Sequence, residues 1–130
     1  MIVILCLLLI LGGFFEGVMD TLQFHYDKSV FRGFKKQLFW NPEKSWRNKY
    51  KDGDFLKGPR FPFSTSALVG LTDGWHMAKT LRNLCLFISL PLTGFLIHDV
   101  NDAITFILIA RAIFGIGFWA SYNKLLVTNE

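Results

Sequence analysis

The 130-residue chain is poor in cysteine and has no lysine or arginine in its first 26 residues. Cys6 and Cys85 both stand inside apolar runs, where a thiol packs as a small hydrophobe. With no CxxC pair and no Cys/His cluster at zinc-finger spacing, neither a disulfide framework nor a structural zinc site is supported. A Gly-rich phosphate loop, HExxH, GxSxG and an acyltransferase-like HxxxxD are missing too, so the familiar catalytic signatures do not apply. There is no internal repeat and no low-complexity tract.

What the chain does have is hydrocarbon. Residues are 52% hydrophobic and 16% aromatic, with 14 Phe and 4 Trp, more than a soluble domain of this length needs for one core. Aromatics in such numbers suit membrane interfaces and lipid-facing surfaces. The net charge of +4 is unevenly spread, because ten of the fourteen basic residues lie between Asp27 and Arg60. Only Asp27, Glu43, Asp52 and Asp54 oppose them there. Beside apolar helices, such a segment marks the cytoplasmic side of a membrane rather than a nucleic-acid surface. Its attraction to anionic headgroups is about 1 kcal/mol per basic residue.

These features predict an all-α, polytopic membrane protein forming a single membrane domain over 1–130. Residues 1–24 hold a retained first span rather than a signal peptide, since the n-region lacks charge and no A-x-A cleavage site follows. Residues 27–60 read as a basic cytoplasmic interfacial segment. Within it, 27–40 is expected as an amphipathic helix with Val30, Phe34 and Leu38 on one face. Asn41-Pro42-Glu43 opens a short helix to Tyr50, and 51–54 is a turn. Ser64 is expected to cap a long helix over 64–97, kinked at Pro91, whose second half is the second span. A re-entrant or fourth membrane segment over 63–79 is the rival. After a polar hairpin at 98–102, residues 103–125 carry the third span. The basic segment orients the whole as N-out and C-in, in a bacterial-type inner or plasma membrane.

Ionisable residues interrupt these spans, and each costs at least about 2.5–3.5 kcal/mol at a helix centre. At 100° per residue, Ser66, Gly70, Asp73, His76, Thr80 and Asn83 share a polar stripe. Leu68, Leu71, Trp75 and Ala78 lie opposite, suited to lipid. On the first span Glu16, Asp20 and Gln23 share a face, and His25 joins it only if the helix unwinds. Glu16, Asp20, Asp73 and His76 are therefore the candidate catalytic groups and the ligands of a divalent metal, with His25 as a further ligand. Carboxylates with imidazole suit Mn, Fe or Zn, and carboxylates alone suit Mg. Lys79, Arg82 and Arg111 would bind substrate anions, and Arg111 could instead pair with Glu16.

The expected function is a metal-dependent enzyme acting on a lipid or lipid-linked phosphate at the cytoplasmic interface. Two alternatives stand beside it. One is a non-catalytic subunit or anchor of a larger complex, whose polar residues only hold helices together. The other is a small oligomeric channel or transporter. Membrane lipids are the expected partners, with a homo-oligomer or a membrane complex around them.

Overall fold

A computed structural model describes residues 1–128. Asn129 and Glu130, the end of the expected single domain, lie outside the described residues. The described chain is all-α with no strand, as expected. Three long helices dominate: α1 (Ile2–Phe24), α4 (Gly74–Thr93) and α5 (Val100–Ala120). Two four-residue helices, α2 (Gln37–Trp40) and α3 (Pro42–Ser45), sit between the first two. α5 runs on into a π-helical turn over Ser121–Leu126.

Helix α1 is the central element. Both α4 and α5 pack along it, while they barely touch each other. A Cβ placed on Gly13 would overlap the Phe114 carbonyl, and one on Gly17 would overlap the Ser121 hydroxyl. On α5, a Cβ at Gly117 would overlap the Ile10 carbonyl. Small residues four apart on both helices, Gly13/Gly17 and Gly117/Ser121, thus bring two backbones into contact, the packing device of apolar helices. The order of these contacts makes α1 and α5 parallel. Cys85 lies against Gly12, Arg82 against Glu16 and Gly74 against Leu22, so α4 is antiparallel to α1.

The outward faces are hydrocarbon. Val3, Leu7, Phe87, Leu90, Ile107 and Leu108 are all more than half exposed. By length and composition α1 and the helix from Val100 to Leu126 suffice to cross a membrane. α4 falls short because Lys79 and Arg82 occupy its first half.

Several boundaries differ from expectation. The long helix starts at Gly74 rather than Ser64, and it ends at Thr93, two residues past Pro91. Ser64 caps no helix; its hydroxyl donates to the Lys49 carbonyl at 2.7 Å. Ser66 and Gly70 therefore precede the helix and do not continue its stripe. The face of α4 turned inward is Gly74, Ala78, Cys85 and Ser89. Ala78, expected to face lipid, is 1% exposed; small side chains let α4 approach α1, and this outweighs the hydropathy of the stripe opposite.

Residues 25–73 form a cap over the end of the bundle where α1 stops, α4 starts and α5 stops. The expected amphipathic helix over 27–40 is replaced by 3₁₀ turns, Tyr26–Lys28 and Val30–Gly33, and then α2. Phe31 is buried and stacks on Trp40 at 4.8 Å, and Trp40 lies against Gly74. Apolar residues of the segment thus enter a protein core instead of lining one face of a helix. α3 opens as expected, with Pro42 in the first turn and the Asn41 side chain accepting from the Glu43 N–H. The expected turn holds Asp52 and Gly53 at φ 53° and 73°. The Lys57 ammonium, bonded at 2.9 Å, holds the Asp52 carboxyl below its ordinary pKa. Burial raises the Tyr26 phenol, whose hydroxyl donates to the Gln37 side chain. The described C-terminus returns to the cap, where the Thr128 N–H donates to the Lys28 carbonyl at 2.7 Å.

Candidate functional site

Asp73 is the N-cap of α4. Its Oδ1 accepts the His76 backbone N–H at 2.8 Å, which satisfies a donor that a helix start leaves free. The His76 Nδ1 lies 2.8 Å from both Asp73 oxygens. A carboxylate only accepts, so this nitrogen carries the proton and donates. Lys49 Nζ approaches Asp73 at 3.5 Å from the cap. The Asp73 side chain is 4% exposed, so this charge is neutralised where water hardly reaches. His76 is half-buried, and among the described residues its Nε2 has no hydrogen-bond partner. A cavity of about 310 Å³ opens here, walled by Trp40, Trp46 and Trp75 with Gln23, Lys49 and His76.

The second polar centre lies deeper in the bundle. Arg82 Nη1 donates to Glu16 Oε2, and its Nε and Nη2 donate to Asn83 Oδ1 at 3.2 and 3.0 Å. The guanidinium thus has acceptors on two sides, as an arginine in an apolar setting requires. Beside this pair, α4 and α5 diverge over α1 and leave a cleft of about 630 Å³. Glu16, Asp20, Arg82 and Arg111 line it together with Phe114 and Phe118.

The four expected metal ligands are therefore divided. Glu16 and Asp20 face the cleft, whereas Asp73 and His76 belong to the cap cavity. Among the described residues no three His, Cys, Asp or Glu side chains gather as a metal-holding group. Helical phase is the reason: Asp73 precedes the helix, so its carboxylate folds back on the first turn and not along the stripe. His25 caps the end of α1 and packs edge-on to Tyr122 at 5.2 Å, and it is not among the residues that line the cleft.

The expected anion binders separate as well. Lys79 rides over the Trp75 ring at 5.1 Å on the outside of α4. Glu16 takes Arg82, not Arg111, as its partner; Arg111 has no carboxylate within ion-pair distance among the described residues. Reading the sequence missed Lys49 and Trp40 as members of the Asp73 cavity. No local spacing links them to a carboxylate more than twenty residues away. The capping role of Asp73, by contrast, was available in Asp73-Gly74-Trp75-His76, an N-cap residue followed by a helix start.

Comparisons with protein-family models, with curated proteins and with solved structures find no match to this chain.

Proposed function

We propose that the chain is a multi-pass integral membrane protein acting as a non-catalytic subunit or anchor. Its three long helices cross a bacterial-type inner or plasma membrane, N-out and C-in, and its basic, aromatic cap meets the cytoplasmic headgroups or a soluble partner. The observation that carries this reading is that two of the three carboxylates expected as metal ligands, Glu16 and Asp73, are already used to hold elements together. Glu16 ties α1 to α4 through Arg82, and Asp73 starts α4 while receiving Lys49 from the cap. The charge distribution supports the orientation. All basic residues between Asp27 and Arg60 sit in the cap, and the opposite end, His98 to Asp102, has no Lys or Arg.

The test is Asp73→Ala in detergent-purified protein, with melting temperature and bound metal read together. The expected result is a loss of about 1–3 kcal/mol, from the missing cap and the unpaired Lys49, with metal content unchanged. A large fall in bound metal at unchanged stability contradicts the reading.

One observation favours an enzymatic second reading. Asp73 fixes the His76 tautomer and leaves Nε2 free at an aromatic cavity, the arrangement of an oriented general base. A lipid-phosphate hydrolase built on it loses turnover by about 10²–10⁴-fold in His76→Ala. Absence of any turnover on lipid phosphates by the unaltered protein removes this reading.

A further inference from the structure

The cleft between α4 and α5 contains two charges of opposite sign that are not spent on each other. Arg82 is occupied by Glu16 and Asn83. Asp20 and Arg111 line the same cleft and form no ion pair among the described residues. Arginine stays charged in a protein, so Arg111, on an exposed hydrocarbon face, calls for an anion.

Its direction says where that anion sits. Helical side chains lean toward the N-terminus. Arg111 runs the other way, and its Nη1 lies 3.8 Å from where a Cβ on Gly115 would be. That movement carries the guanidinium about 6 Å toward the cap end, four residues along the helix. It approaches the level of Trp119 and Lys124, whose ammonium stacks on the indole at 5.6 Å, an interfacial pair. Asp20, in the last two turns of α1, lies nearer still to the cap. Leu9, Phe106 and Ile107 line the far end of the cleft.

From hydrocarbon toward the cap, the cleft therefore presents apolar side chains, then a free guanidinium, then a free carboxylate. A lipid of the cap-side leaflet presents acyl chain, then phosphate, then any headgroup amine. We propose that this cleft binds a phospholipid bearing a primary ammonium, its phosphate on Arg111 and its ammonium on Asp20. A second copy of this chain does not supply the anion. In a parallel dimer each residue keeps its depth, so Arg111 would meet its own counterpart, apolar residues, or a Glu16 that Arg82 already holds. A purely anionic lipid satisfies Arg111 but sets its headgroup against Asp20.

The proposal rests on the membrane reading, and the experiment separates the two. Membranes are first washed with alkaline carbonate; release of the protein would end both readings, and retention leaves the lipid claim to be judged alone. Detergent-purified protein is then titrated with phosphatidylethanolamine or phosphatidylglycerol of identical acyl chains, followed by native mass spectrometry and melting temperature. The unaltered protein is expected to bind and be stabilised by the ethanolamine lipid in preference. Arg111→Gln should weaken both lipids about tenfold or more, the worth of one charged hydrogen bond, and Arg111→Lys should retain most of the binding. Asp20→Asn should abolish the preference while leaving phosphatidylglycerol bound. Equal binding of the two lipids by the unaltered protein, or Arg111→Gln without effect, overturns the proposal.

Discussion

At the scale of single residues, the polar groups along the helices divide by whether a partner is within reach. Glu16 and Arg82 come from different helices and neutralise each other. Removing one leaves the other charged and unpaired between apolar helices, at a cost of about 2.5–3.5 kcal/mol or more if the proposed spans are in the membrane. Glu16→Ala and Arg82→Leu should each lower the unfolding free energy by that order, while the double variant recovers most of it. A thermal-unfolding double-mutant cycle in detergent measures this, and strict additivity would mean that the pair does not interact. The sequence revealed which residues would be costly in a membrane, because charge in an apolar run is visible in any window. Which of them pair was not legible. The sequence offers Arg111 as the partner of Glu16 and Arg82 as an anion binder, and only the way α4 lies along α1 gives Glu16 to Arg82.

At the scale of elements, length and hydropathy place long helices where α1 and α5 lie, although α5 begins at Val100, three residues before the expected start, and gives way to a π-helical turn at Ser121. α4 departs from expectation at both ends, running from Gly74 to Thr93. Ser64 has the chemistry of an N-cap, but Asp73 has it too, and a helix beginning at Gly74 can bury Gly74 and Ala78 against α1 and Trp40. The cap departs from expectation for a related reason. A four-residue spacing of apolar side chains predicts a helix, whereas packing Phe31 on Trp40 favoured turns that bring the two rings together. The contact of α1 with α5 depends on glycine where the backbones meet. Gly13→Ala forces a methyl against the Phe114 carbonyl, while Gly33→Ala meets nothing within 4 Å. Overpacking of this kind costs about 1–3 kcal/mol. Gly13→Ala should melt earlier than Gly33→Ala by a matching margin, and equal melting of the two would show that the helices do not touch as described.

At the scale of the whole molecule, three long helices of alternating direction carry the cap at one end and a short acidic turn, with Asp99 and Asp102, at the other. That polarity was the most legible feature of the sequence, because it follows from where lysine and arginine are absent as much as from where they stand. It is also the foundation of the proposed anchor and of the lipid site. The direct measurement is cysteine labelling from each side of the membrane. In a Cys6→Ser, Cys85→Ser background, Lys44→Cys marks the cap and Asn101→Cys the opposite turn. With a membrane-impermeant maleimide on intact cells, Asn101→Cys should label at once and Lys44→Cys only after the membrane is opened. Labelling of both positions from the same side would contradict the account.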